Sequence, residues 1–163
     1  MQGNFFATVE NFIEEQGFTI VSSDTTRPWG GFFVIDESQA EKFIEIFFPG
    51  HTKESLLIGE KLSPKILAVA PGQRLSWQYH HRRAEIWRVI EGPVLVSISP
   101  DDKETAAQSY EAGQTIVLQC GDRHRLIGSP DKWGIVAEIW QHTEPGAPSN
   151  EDDIVRVQDD FGR

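Results

Sequence analysis

Residues 78–87 read QYHHRRAEIW. A glutamine, two histidines, two arginines and a glutamate in so short a run fit either a charged hairpin tip facing water or one edge of a metal site. In a strand, residues two apart face the same side. Gln78 and His80 therefore point together, with Tyr79 opposite. Residues 81–84 suit a tight reversal, after which Glu85, heading EIWRVIEG, turns back toward the same space. A fourth donor is available in His124, which follows the turn-like CGDR and leads HRLIG. Two imidazoles, one carboxylate and one amide oxygen suit a borderline divalent ion such as Zn²⁺, Fe²⁺, Mn²⁺ or Ni²⁺. Taken singly, each residue has a plainer reading. His80 and His124 fit surface histidines, Glu85 an ion pair with Arg82 or Arg83, and Gln78 nothing in particular.

Outward from this stretch, the chain reads as mostly strand. FFVID, EKFIEIFF, PKILAVA, RLSWQYH, EIWRVIEG, VLVSIS, QTIVLQ, HRLIGS and GIVAEIW are short and rich in β-branched and aromatic residues. Gly, Pro, Asn and Asp punctuate the gaps, which predicts an antiparallel sandwich or barrel. No helix-sized segment separates the strands, so a parallel sheet is not expected. Before them, apolar residues at Phe5, Phe6, Val9, Phe12 and Ile13 follow helical spacing, with Asn4 placed to cap the helix and Gly17 to end it. The expected organisation is one domain: a helical extension over 1–25, then the barrel and a Pro-rich, acidic tail over 26–163. The phenylalanines of the extension suit packing on the barrel or across a dimer.

Composition narrows the partners. The formal charge of −10 over 163 residues disfavours nucleic acid, which demands a basic face, but leaves room for small anions held by a local arginine cluster. The single Cys120 permits no internal disulfide and fits a reducing compartment; we expect it to be a small buried hydrophobe. MQGNFFATVE carries no signal-peptide pattern, and no run approaches the ~18 apolar residues of a membrane span, so a cytoplasmic location is expected. Trp77, Trp87, Trp133 and Trp140 read as core, and His51 and His142 as loop histidines.

Joint spacing is what lifts the four donors above their plain readings. The cupin superfamily has a first motif G-x5-H-x-H-x4-E-x6-G and a second G-x5-P-x-G-x2-H-x3-N. Gly72, Gln78, His80, Glu85 and Gly92 reproduce the first spacing, with Gln for the first His. Gly113, Gln119, Gly121, His124 and Gly128 reproduce the second, with Gln for Pro and Gly for Asn. The Gln-x-His variant resembles the type II phosphomannose isomerases, including the cupin domain of mannose-1-phosphate guanylyltransferases. The likeness extends to Arg27-Pro28-Trp29-Gly30, to Pro71-Gly72, Arg74-Leu75-Ser76 and Arg83-Ala84-Glu85 with Trp87, and to the closing Glu151-Asp152-Asp153-Ile154-Val155-Arg156 and Gly162-Arg163. Arg82 and Ile86 stand where that family has histidines, residues 37–62 look longer than its segment, and the Gly-rich nucleotide loop of the guanylyltransferase half is not read in these 163 residues, so nucleotidyl transfer is not expected.

The resemblance implies an all-β cupin jelly-roll barrel, one divalent metal (zinc first) on Gln78, His80, Glu85 and His124, a homodimer, and aldose–ketose isomerisation of a sugar phosphate. Such a reaction needs an electrophile, a base and a phosphate clamp. Arg156 is the first choice for the clamp, with a salt bridge to Asp152 or Asp153 as its plainer role; Arg27, Arg74 and Arg83 follow. For the base, Glu138 alternates with Val136 and Trp140, and an inward position would raise its pKa. His81 and Lys65 are possible proton shuttles. An Fe(II) oxygenase and a carbohydrate-binding cupin without turnover are the alternatives.

Overall fold

The computed structural model describes residues 2–163, as two antiparallel sheets that share one core, with helices on the outside of the larger. A helix, α1 (Gln2–Glu15), precedes β1 (Ile20–Arg27) and β2 (Gly30–Ile35). Then come α2 (Ala40–Phe47), the one-turn α3 (Lys53–Leu56), β3 (Lys65–Val69), β4 (Trp77–Tyr79), β5 (Arg83–Glu91) and β6 (Val94–Ser99). The chain closes with β7 (Gln108–Tyr110), β8 (Thr115–Leu118), β9 (Arg123–Gly128), β10 (Gly134–His142) and β11 (Val155–Gln158). The strand orders are β1-β2-β3-β10-β5-β8 and β11-β4-β9-β6-β7. This is the expected all-β jelly roll.

Both faces of the six-stranded sheet are covered, which is why β3 is buried at every position and β10 at nearly every one. Ile66, Ala68, Ile86, Ala137 and Ile139 face outward and pack with Val9, Ile13, Phe43 and Phe47 of the helices. Their neighbours Leu67, Val69, Trp87, Val89 and Val136 face inward, against Val94, Val96 and Leu126 of the other sheet. Period-two alternation thus divides each strand between two cores. The phenylalanines of α1 pack on the barrel, with Phe5 stacked on Trp133 at 4.3 Å between ring centroids.

Several local expectations change. EKFIEIFF is helical: its β-branched and aromatic content favours a strand, but Ala40, Phe43, Ile44 and Phe47 lie at i, i+3, i+4 and i+7 and bury one stripe. Asn4 is inside α1, its carbonyl accepting from Thr8 Oγ1, so it caps nothing. Gly17 does end the helix, at φ +89°, with its own N–H on Glu14 O and the next on Ile13 O. β1 begins at Ile20, so the sheet starts inside the segment read as extension. His142 is buried on β10 between Ser63 Oγ (2.9 Å) and the Ser149 N–H (2.9 Å), not in a loop. Cys120 is exposed, because its turn carries no apolar neighbours to cover it. Gly128, where the second motif has Asn, passes close behind Ala70: a Cβ there would lie 2.2 Å from the Ala70 carbonyl oxygen.

Candidate metal centre and cavity

The inward residues change character along the barrel. Val69, Val89 and Val136 fill one end. Toward the other end, register places Glu138 between Lys65 and Trp87, and Trp140 beside Glu85. On the facing sheet Gln78 is flanked by His124 on β9 and Arg156 on β11. A cavity open to solvent lies between these walls, with Lys65, Gln78, Glu85, Trp87, Glu138 and Arg156 among its lining.

Glu85 lines its floor, and His80 and His124, outside the lining, converge on it; all three are buried, with one candidate ligand atom from each within 4.8 Å of the others. His80 Nδ1 lies 2.6 Å from the Asp153 carbonyl oxygen, and His124 Nδ1 lies 3.1 Å from that of Asp122. A carbonyl oxygen only accepts, so each Nδ1 donates, and a neutral ring in that tautomer keeps its Nε2 lone pair for the group, as metal-ligating histidine does; at His80 Arg83 Nη2 already lies 3.2 Å from it. Burial, the largest influence on His80, lowers its pKa to about 4 and keeps the ring neutral. Glu85 has its own reason to stay ionised: burial alone would raise it, but the Arg83 guanidinium holds it well below the usual carboxylate range.

The result is acceptors facing acceptors. Glu85 Oε1 and His124 Nε2 stand 3.2 Å apart, both buried and neither with a hydrogen-bond partner. His80 Nε2 is 3.7 Å from Glu85 Oε2. A buried orphan polar atom costs about 1–3 kcal/mol. A divalent cation accepting these lone pairs removes that cost, and the donor set suits one. Gln78 lines the same cavity, but its Oε1 already accepts from Ser76 Oγ at 2.6 Å, leaving one lone pair for another partner.

Glu138 lies on the neighbouring wall, buried, with Oε2 accepting from Trp87 Nε1 at 2.7 Å and Oε1 from Trp140 Nε1 at 2.9 Å. Burial first, and the charge of Glu85 second, push its pKa up to about 7. Lys65 is buried beside it, 2.5 Å from Glu151 and over the rings of Trp140 and Phe32.

The arginines separate clearly. Arg156 lines the cavity and forms no ion pair among the described residues, with Asp152 or with Asp153; Asp153 instead accepts the His81 and Arg82 backbone N–H groups. Arg27 lines the cavity with Asp24 beside it. Arg83 is buried and committed: its Nε donates to Glu85 Oε2 at 2.9 Å and the guanidinium stacks 3.6 Å from the Trp140 ring centre. It lines the cavity as well, with Nη1 already engaged by Ser149 Oγ and the Asn150 carbonyl and Nη2 by His80 Nε2. Arg74 is misplaced by the sequence reading. It grips Asp160 through two bonds, of 2.6 and 2.8 Å, and does not line the cavity. Likewise the exposed His81 ring packs edge-on against Tyr79 at 5.4 Å, outside the lining. Trp87 and Trp140 are core residues as expected, yet they also present an edge to the cavity, joined there by Trp29. Glu151 and Arg163 line it too. Their only sequence signal is membership of the closing motif.

Two packed antiparallel sheets with a buried histidine–carboxylate–histidine group between them define a cupin. The chain belongs to the mannose-6-phosphate isomerase C-terminal family, which it matches over residues 36–159. It is 34% identical over 126 residues to the alginate biosynthesis protein AlgA of Pseudomonas aeruginosa, covering 77% of this chain and 24% of that protein. To the mannose-1-phosphate guanylyltransferase ManC of Salmonella typhimurium it is 33% identical over 119 residues, 73% of this chain and 23% of the other. The chain thus spans about a quarter of the length of these curated relatives. Among solved structures, the Staphylococcus aureus capsular polysaccharide assembling protein CapF superposes with TM-score 0.54 at 11% identity, covering 86% of this chain and 34% of that one. A recombinant oxalate oxidase superposes with TM-score 0.52 at 24% identity, covering 82% and 58%. These two likenesses show the fold. No helix among the described residues is long and apolar enough to cross a membrane.

Proposed function

We propose that the chain is a metal-dependent sugar-phosphate aldose–ketose isomerase, with mannose 6-phosphate as first substrate. One observation carries this reading. A single cavity is lined by Glu85 of the buried His80–Glu85–His124 group, by Glu138, a carboxyl of near-neutral pKa, and by Arg156, whose guanidinium is unpaired among the described residues; in the buried group Glu85 Oε1 and His124 Nε2 have no hydrogen-bond partner. The family match supports the substrate class.

Isomerisation removes a proton from the carbon bearing the hydroxyl and returns it to the neighbouring carbonyl carbon, through an enediol. His80, Glu85 and His124, with Gln78 as a further oxygen donor, would hold the divalent ion, zinc first; when bound it polarises the sugar oxygens. Glu138 takes the carbon-bound proton and gives it back. A pKa near 7 leaves it partly ionised at neutral pH, able to do both. The Trp87 and Trp140 indoles fix the carboxylate's orientation. Lys65, held between Glu151 and the Trp140 face, supplies a hydrogen bond, and relays the proton that moves between the two sugar oxygens. Arg156 clamps the phosphate, its planar fork matching two phosphate oxygens.

A second reading, a sugar-phosphate-binding cupin without turnover, draws on the position of Arg83. Its Nη2 lies 3.2 Å from His80 Nε2 and its Nε on Glu85, so the chain brings its own cation to part of the site. Metal analysis of the purified protein, with assays of mannose 6-phosphate, free mannose and free lyxose, separates the two. We expect one divalent ion per chain and turnover of the phosphorylated sugar that chelation removes and metal restores. Turnover undiminished in metal-free protein overturns the mechanism. Sugar-phosphate binding by metal-loaded protein without isomerisation leaves the second reading.

A further inference from the structure

Residues 149–153, ahead of β11, hold two of the three members of the buried group. The Asp153 carbonyl accepts from His80 Nδ1 at 2.6 Å, which sets the tautomer and the aim of that ring. The Asp153 carboxylate accepts the N–H groups of His81 (2.9 Å) and Arg82 (3.0 Å), pinning the reversal that spaces His80 from Glu85. Its Oδ2 also accepts from Ser149 Oγ at 2.6 Å. Ser149 Oγ in turn receives Arg83 Nη1 at 2.9 Å, and Asn150 O receives it at 3.1 Å, while Arg83 Nε holds Glu85. His124, by contrast, is oriented by its own neighbour Asp122.

We propose that Asp153 is a positioning residue for metal uptake, and that seating of residues 149–154 and loading of a divalent cation on His80, Glu85 and His124 are thermodynamically linked. This rests on the metal reading of that group. The same hydrogen bonds that seat the segment orient two ligands, so each event lowers the cost of the other, and the coupling is reciprocal. The consequence reaches the substrate side. Glu151 and Ile154 line the cavity from this segment, directly before Arg156 on β11, so metal loading firms the wall beside the group that receives the anionic end of the substrate. The distal tail is anchored separately, by Arg74 on Asp160 and by Arg125 on the Gln158 carbonyl at 3.1 Å. The linkage is therefore confined to 149–154.

The test measures Zn²⁺ affinity of the full chain by competition with a chromophoric chelator, and hydrogen exchange of peptides covering 149–154 with and without Zn²⁺. In the wild type, Zn²⁺ should slow exchange there by about tenfold or more. Asp153→Asn, which puts a donor where two donors already point, should weaken Zn²⁺ binding by about 10–100-fold and lose that slowing. Ser149→Ala, which cuts only the path to Arg83, should weaken it less and carries the test if Asp153→Asn does not fold. Arg74→Ala, at the distal anchor, should leave Zn²⁺ affinity unchanged. A purely structural role would lower the melting temperature of the metal-free protein and move neither Zn²⁺ readout. Wild-type affinity in Asp153→Asn, or in Ser149→Ala where that variant carries the test, overturns the proposal, as does wild-type exchange indifferent to Zn²⁺. Linked Zn²⁺ binding without isomerisation removes only the isomerase reading; turnover by a Zn²⁺-loaded chain without linkage removes only this one.

Discussion

The floor of the cavity and its side wall each carry one buried glutamate, on adjacent antiparallel strands, and the two behave oppositely. Glu85 is surrounded by Arg83, His80 and His124 and stays ionised well below the usual range. Glu138 meets two indole N–H groups and apolar rings, and titrates at about 7. Burial pushes both upward; only the floor supplies enough positive charge to reverse it. A proposed division of labour follows. A permanent anion suits a cation ligand, and a carboxyl that changes state near neutrality suits proton transfer.

The comparison breaks most completely at the floor. Glu85→Gln removes the charge that Arg83 and the imidazoles surround, and should abolish metal uptake and turnover together; metal analysis of the purified variant checks this. Next comes the wall. Glu138→Gln keeps the shape but cannot take a proton, so turnover should fall by about 10²–10⁴-fold while the metal stays bound. In the wild type, kcat/KM should rise with pH through about 7, because the base must be ionised; an unchanged rising limb in the residual activity of Glu138→Gln would assign it elsewhere.

Stability sharpens the contrast at smaller scale. The Glu138 pKa is raised from its ordinary 4.5, so its favourable contribution is present below that value and is lost as pH rises through about 7. Chelated wild type should lose about 1–3 kcal/mol between pH 5 and 8 relative to Glu138→Gln, read from urea unfolding. Glu85, with its pKa depressed, contributes in the opposite sense: its share is lost only on acidification. Smallest is the effect of Arg156→Ala, which touches neither glutamate. It should raise KM for the phosphorylated sugar by roughly ten- to a hundredfold, the worth of a charge-assisted hydrogen-bond pair, and leave metal content unchanged.

Much of the fold was legible before any coordinates because strand alternation is a local property. The inward set of β3, β5 and β10 follows from counting by twos once the strands are placed. Where counting by twos met a competing period, as in EKFIEIFF, residue preference for strand misled, and the stripe Ala40-Phe43-Ile44-Phe47 decided for helix. β7 and β11 are short and mostly exposed, so QSY and VRVQ carry too few apolar residues to announce a strand.

The donors themselves were also written locally, as types at spacings: Gln78, His80 and Glu85 around one reversal, His124 after another, Glu138 in alternation with Val136 and Trp140. What only the tertiary structure decided is which charges meet. Arg74, Arg83 and Arg156 are indistinguishable as letters, yet Asp160 claims the first, Glu85 the second, and no carboxylate among the described residues pairs with the third. His81 and His80 are neighbours in sequence and lie on opposite sides of the barrel wall. Electrostatic identity is a sum over neighbours brought from distant parts of the chain, and a spacing along one strand holds no information about that sum.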